Sequence, residues 1–396
     1  LRANAFEIRE GLHWVGIPDP ARRRYEVIIP TPYGTTYNSY LLMGEKTAVI
    51  EVADDKVADS YLDLCGRVLD GAKPDYVILD HAAPNHSGSL LRLLKAYPEA
   101  EVVTSEVGAR FVREITRVDP DIRVVREGDR LDLGLGRVLT FIEAPFMPWP
   151  DCLFTWVESE RVLFSGEAFG AHFAAGVAAD GSDDYAIAYR DFYQAIMHPF
   201  EAQVREAVAK LSDLPIEVIC PAHGPIHQVR ARRWVQRYAE YSARPRKEAP
   251  VVAVAYASAY GYTRQLAEAI AKGIGEAGAV IAQVYDLAMV GPEGLARHIE
   301  AADGVLIGSP TLNRDAARPV WALLSHVSPV LCRGKPAAAF GSYGWSGEAV
   351  GLLEDRLRGL QLDVRSPGPR VKFAPAAEDL ERARQYGREF AERVKV

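Results

Sequence analysis

The chain has 396 residues, 48% of them hydrophobic and 25% charged, with a formal net charge of -7. That length exceeds one ordinary core and predicts two domains, in a composition typical of soluble globular proteins. The excess of acid argues against a general nucleic-acid binder. No apolar run is long enough to span a bilayer as a helix, and Leu1 to Glu7 lacks the form of a secretory signal, so no membrane association and a cytoplasmic location are expected.

Residues 1 to about 240 alternate short apolar strands with turns and a few helices. Tyr25-Glu26-Val27-Ile28-Ile29-Pro30 and Thr47-Ala48-Val49-Ile50-Glu51-Val52 are two of the predicted strands. Strands outnumber helices here, which points to packed sheets with outer helices. A third strand, Tyr76-Val77-Ile78-Leu79, runs into Asp80-His81-Ala82-Ala83-Pro84-Asn85-His86-Ser87-Gly88. Two histidines five positions apart suggest a metal loop, yet Ala83 cannot coordinate and Asn85 offers only a neutral amide. A metal held by nitrogen and oxygen relies on anionic ligands, so the site is reduced or lost. The four cysteines, Cys65, Cys152, Cys220 and Cys332, form no C-x-x-C pair and read as reduced, mostly buried thiols.

Residues 242 to 250 are polar and twice punctuated by proline, the best linker candidate, giving domains of 1–249 and 250–396. Beyond it the pattern becomes strand, loop, helix. Val251 to Tyr256 reads as a buried strand, and Thr263 to Gly275 carries Leu266, Ala267, Ile270 and Ile274 at helical spacing. Gly304 to Gly308 and Pro336 to Phe340 are further strands, each entering a Gly/Ser loop, which predicts a doubly wound parallel sheet with ligands at the carboxyl ends of its strands. The turn Ser258-Ala259-Tyr260-Gly261-Tyr262-Thr263 offers amides and hydroxyls for one phosphate group. It has no P-loop lysine, which disfavours triphosphate hydrolysis. Gly308-Ser309-Pro310-Thr311-Leu312-Asn313 and Gly341-Ser342-Tyr343-Gly344-Trp345-Ser346-Gly347 follow, the latter setting aromatic rings among glycines, as suits a planar ring system.

These three loops make residues 250 to 396 resemble a flavodoxin domain. The resemblance implies FMN, with Ser258, Tyr260, Gly261 and Thr263 on its phosphate and Pro310, Thr311, Leu312, Asn313, Ser342, Tyr343, Gly344 and Trp345 around the isoalloxazine. Tyr262 and Gly347 complete the loops. Upstream, Thr36 to Leu41, the His81 loop, Trp149-Pro150-Asp151, Leu163 to Gly170 and Pro221 to Ile226 occur in the order of the metallo-β-lactamase-like domain of flavodiiron proteins. The expected architecture is therefore a multidomain α/β chain, an αββα sandwich followed by a flavodoxin-like sheet.

In that family two irons reduce dioxygen or nitric oxide with electrons from FMN. Carried over by motif, His81, His86 and His223 keep the histidine ligands, and Glu167 stands where a bridging aspartate is expected. Ala83, Asn85 and Pro148 replace a glutamate, an aspartate and a histidine. The first iron position is left with His81 and a share of Glu167, whereas His86, His223 and Glu167 remain for the second. One iron or zinc, no metal, and a rebuilt centre involving His172 all stay open. The leading expectation is an FMN-dependent oxidoreductase passing electrons to a small acceptor such as dioxygen. The alternatives are a genuine dioxygen or nitric oxide reductase and a non-catalytic carrier or partner subunit. The resemblance also implies a head-to-tail homodimer. A separate donor is expected, such as rubredoxin or a flavin/nicotinamide reductase.

Overall fold

The computed structural model describes residues 4–174, 182–243, 247–365 and 367–395. The chain forms two compact units, Leu1–Arg244 and Pro245–Val396. Of the expected linker, residues 244–246 lie outside the described residues.

Among the described residues the first unit has, beside two two-stranded pairs, two large sheets. One has seven strands in the order Phe6–Arg9, Leu12–Trp14, Tyr40–Met43, Thr47–Ile50, Tyr76–Ile78, Glu101–Thr104 and Ile122–Val124. The other has five, Arg130–Asp132, Val138–Glu143, Leu153–Val157, Val162–Phe164 and Val218–Cys220. Successive side chains on a strand point to opposite faces, and both faces are apolar here. Tyr40, Leu42, Ala48, Ile50 and Ile78 meet Leu139, Phe141, Leu153 and Phe164 between the sheets. Leu41, Val49 and Val77 face the other way, onto Tyr61, Leu64 and Val112 of the helices Ala58–Leu69 and Glu106–Thr116. Phe154, Trp156 and Leu163 likewise back onto Tyr189, Val204, Trp234 and Tyr238 of the opposite helical layer. The result is the expected αββα sandwich, and its metal-loop residues lie where strands end.

One strand expectation is corrected. Residues 25 to 30 do not extend as a single strand but reverse as a hairpin of Arg24–Tyr25 against Ile29–Pro30. Glu26 and Val27 take left-handed φ values of 43° and 69° at its tip, which breaks the alternation on which the strand reading rested. Tyr25 alone is driven inward, while Val27 and Ile28 are exposed.

The second unit is a five-stranded parallel sheet in the order Ile281–Asp286, Val251–Tyr256, Gly304–Gly308, Ala337–Tyr343, Arg370–Lys372. Numbered along the chain this is 2-1-3-4-5, the flavodoxin-like order. Val252, Val254, Leu306 and Phe340 pack on Leu266, Ala267, Ile270 and Ile274 of the helix Tyr262–Glu276, the face read from the sequence. Ala253, Ala255, Val305 and Ile307 face Leu295, Leu323 and Leu353 on the other side. The helix Ala377–Val394 packs closely on Tyr262–Glu276 at Gly273, where a Cβ would lie 1.8 Å from the Arg384 carbonyl oxygen.

Candidate functional site

In the first unit the strand Tyr76–Ile78 delivers Asp80 and His81 to the pocket, and the short helix Pro84–Ser87 carries His86. Both imidazoles are buried and each is aimed by a carboxylate behind it. His81 Nδ1 donates to Asp151 Oδ1 at 3.1 Å, and His86 Nδ1 donates to Glu51 Oε2 at 2.9 Å. Glu51 directly follows the strand Thr47–Ile50 in a left-handed conformation, φ 59°, which turns its carboxylate inward. It also accepts from the amides of Asp80 and His81. Asp151 accepts from the amide of Ala82 at 2.7 Å. Backing carboxylates of this kind fix tautomer and ring orientation around a metal.

The Nε2 atoms therefore face forward. His86 Nε2 lies 3.1 Å and His81 Nε2 4.0 Å from Glu167 Oε1. His81 Nε2 is buried without a hydrogen-bond partner among the described residues. Ligand atoms of His81, His86 and Glu167 all lie within 4.8 Å of one another. A metal with bonds of about 2.1 Å spans donors up to roughly 4.2 Å apart, so both measured separations suit one cation. An orphaned buried nitrogen beside a carboxylate is what such an ion satisfies.

Electrostatics agree with a site built around positive charge. Burial disfavours the His86 imidazolium, yet its bonds to Glu167 and Glu51 push its pKa up to about 10. Burial likewise opposes ionisation of Glu167, but the hydrogen bond and charge of His86, with His81 and His223 behind, hold its pKa down at about 2. Without metal, a buried His86–Glu167 ion pair occupies the place.

His223 borders this group, its ring 5.0 Å from that of His86, and its nitrogens have other partners. The expectation joined it to His86 and Glu167, but its Nε2 is engaged by the Tyr25 hydroxyl at 3.1 Å. Its Nδ1 donates to the Thr36 carbonyl. Burial and then the charge of His86 pull its pKa to about 4, so the ring is neutral. His172 is bonded through Nδ1 to the Thr35 hydroxyl at 2.9 Å, and its ring lies 4.2 Å from that of Tyr25. Cys152 lies close to His81 and Asp151. Burial and the Asp151 charge push its thiol well above the usual range, in line with a neutral buried thiol. Cys220 is also buried. Sequence reasoning missed Tyr25, Glu51 and Asp80. Asp80 is buried, and desolvation followed by Glu51 raises its pKa well above the carboxylate range.

In the second unit the three expected loops lie at the carboxyl ends of adjacent strands. Gly261 takes φ 83° directly before the helix Tyr262–Glu276, and Ser258 Oγ accepts from the Arg264 amide at 3.3 Å. Thr263 and Ser342 hydroxyls meet at 2.9 Å, tying the first loop to the strand Ala337–Tyr343. Thr311 Oγ1 accepts from the Ala349 amide at 3.4 Å, and Asn313 turns with φ 51° beside Pro310 and Leu312. A Cβ on Gly341 would lie 2.0 Å from the Ser309 carbonyl oxygen, so the second and third loops converge through a close backbone approach. Tyr343, Gly344 and Gly347 follow, with Tyr260 and Trp345 exposed by 81% and 76%. Two large aromatic side chains left bare beside helix-terminal amides fit a flat, phosphorylated aromatic ligand.

Residues 35–224 match the family model described as ODP family beta lactamase, and residues 254–387 match the flavodoxin model. The flavo-diiron protein FprA2 of Clostridium acetobutylicum is 34% identical over 398 residues, covering 98% of this chain and 100% of that protein. The chain belongs to the flavodiiron protein family. Type A flavoprotein fprA of Rhodobacter capsulatus is 37% identical over 98% of this chain and 91% of its own length. Among solved flavodiiron structures, rubredoxin oxygen:oxidoreductase from Desulfovibrio gigas superposes with a TM-score of 0.70 at 29% identity, covering 99% of each chain. Flavodiiron membership makes this protein an oxidoreductase, with a flavodoxin domain as its flavin-binding part. No helix among the described residues is long and apolar enough to cross a membrane.

Proposed function

We propose that this flavodiiron protein is an FMN-dependent oxidoreductase whose N-terminal pocket takes a single metal ion, on His81, His86 and Glu167. The carrying observation is the unpartnered, buried His81 Nε2 converging with His86 Nε2 on one oxygen of Glu167. When bound, the metal supplies Lewis-acid or one-electron chemistry and FMN supplies a reservoir of two electrons. The chain's own residues do the positioning. Asp151 and Glu51 hold the two imidazoles, and Trp149 stands 5.1 Å edge-on to the His81 ring. In the second unit we assign the phosphate to Ser258, Tyr260, Gly261, Tyr262 and Thr263. The isoalloxazine is assigned to the loops 310–313 and 342–347.

Electrons enter from a separate donor, a rubredoxin or a flavin/nicotinamide reductase, and leave to a small acceptor such as dioxygen. A head-to-tail homodimer in the cytoplasm belongs to the same reading. One metal and one flavin per chain suit two-electron chemistry, in which dioxygen takes two electrons and two protons to give hydrogen peroxide. Relatives whose names state nitric oxide reductase or rubredoxin oxygen:oxidoreductase set the candidate acceptors. The test is to reconstitute the full chain with FMN and iron, measure metal per chain, and follow oxygen uptake with and without catalase. Expected are one metal per chain, oxygen returned by catalase, and loss of the metal in both His81→Ala and Glu167→Ala. Two tightly bound irons without peroxide would overturn the reading.

A further inference from the structure

We infer that Tyr25 fills the second metal position and so limits this chain to one cation, an inference that rests on the single-metal reading above. The absent acids at Ala83 and Asn85 are not the whole cause. His223 has its Nδ1 proton committed to the Thr36 carbonyl, leaving a single lone pair on Nε2, and the Tyr25 hydroxyl donates to that lone pair. The same phenol oxygen accepts from Asn85 Nδ2. One oxygen atom thus holds both side chains that motif position assigns to the second metal but the first cluster does not use. It is itself closed in, because the Tyr25 ring is buried against His172 at 4.2 Å and edge-on to His223 at 5.2 Å.

Hydrogen bonding and ligation draw on the same electron pair, so a cation reaches His223 only after the phenol leaves. Its departure breaks one buried hydrogen bond, to His223, one partly buried bond, from Asn85, and the ring contact with His172, so the phenol competes with a cation for the His223 nitrogen. The amide of Asn85 adds to this barrier by presenting its N–H side to the phenol, where a carboxylate would present oxygen to a metal. Tyr25 is a positioning residue in this scheme. It acts through His223 and Asn85, and it comes from the hairpin at residues 24–30, remote in sequence from the metal motif.

The test uses cobalt(II) with full-length protein, counting metal per chain by equilibrium dialysis and locating it by anomalous scattering. The wild type and Asn85→Asp are each expected to bind one equivalent, at His81, His86 and Glu167. The double variant Asn85→Asp/Tyr25→Ser, which removes the phenol and restores an acid, is expected to bind two, the second at His223. Asn85→Asp/Tyr25→Phe removes only the hydroxyl that engages His223 and keeps the packed ring, so it is likewise expected to bind two without loss of folding stability; one equivalent in the folded Phe double variant would overturn the role of the Tyr25 hydroxyl. Two equivalents in Asn85→Asp alone would overturn the role of Tyr25 while leaving the first site standing. One equivalent in the Ser double variant, folded by circular dichroism, would do the same. No cobalt in the wild type would overturn the single-metal reading and this inference together.

Discussion

Replacing His227 by Gln tests how far buried neutral histidines set the acid stability of the N-terminal unit. His227 is fully buried, with Nε2 bonded to the Phe169 carbonyl at 2.7 Å and its ring stacked on Trp234 at 4.9 Å. Burial, with a smaller push from Arg233, brings its pKa down to about 4 despite the Phe169 bond. In the unfolded chain the value is about 6.5. The unfolded state therefore takes up the proton first as pH falls, so stability is full above pH 6.5 and declines toward pH 4. The gap of about 2.5 units amounts to about 3 kcal/mol below pH 4 and about 2 kcal/mol at pH 5. Glutamine keeps a donor for Phe169 but does not titrate. Urea unfolding of the full chain, followed by Trp fluorescence at pH 7.5 and pH 5, should show the variant less stable at the higher pH. Its deficit should shrink by about 2 kcal/mol at the lower. A deficit unchanged to within about 0.5 kcal/mol would refute the assignment of His227 as a neutral buried base whose protonation opposes folding.

Asp151→Asn should weaken cobalt or zinc binding by about 10- to 100-fold in equilibrium dialysis, because His81 loses the carboxylate that holds its Nδ1 proton. Gly387→Ala should destabilise the FMN unit by about 1–3 kcal/mol in thermal unfolding, since the new Cβ would sit 2.1 Å from the Ile270 carbonyl oxygen. Gly275→Ala, in open space within the helix Tyr262–Glu276, should instead stabilise it by about 0.5–1 kcal/mol. Trp345→Ala should raise the FMN dissociation constant about tenfold, read by quenching of FMN fluorescence, from the loss of one stacking face worth about 1.4 kcal/mol.

The flavodoxin half was legible because each of its loops is continuous in sequence with the strand that carries it. Val251–Tyr256 and Gly304–Gly308 were delimited by their apolar runs, and the helix face of Leu266, Ala267, Ile270 and Ile274 followed from spacing alone. The candidate metal pocket was half legible. His81 and His86 share a loop, but their backing groups come from Asp151 and Glu51, 70 and 35 residues away from the rings they hold. Local pattern carries no such information. A signal existed for Glu51, an acid at the end of the apolar run Thr47–Ile50, where a strand continuing inward would bury a charge. Tyr25 had a weaker one: Pro30 and Pro32 close an apolar run too short for both members of a hairpin to be recognised.

The arrangement of acids in the pocket bears on whether it serves a cation. Glu51, Asp151 and Glu167 are all buried around His81 and His86. Burying a carboxylate costs several kcal/mol unless opposite charge and hydrogen bonds compensate it, and apolar replacement of such groups is often neutral or stabilising. A pocket freed from metal binding would have little physical reason to keep three carboxylates. Where the family resemblance leads one to expect acidic ligands the chain carries Ala83 and Asn85, and the His223 nitrogen is engaged by a phenol. The backing acids of His81 and His86 stay, each with its imidazole in hydrogen-bond register. Negative charge is thus concentrated behind one set of nitrogens while the other set is sealed by neutral hydrogen bonds. A one-cation pocket has that asymmetry, whereas a site decaying without constraint would lose backing and ligand groups alike.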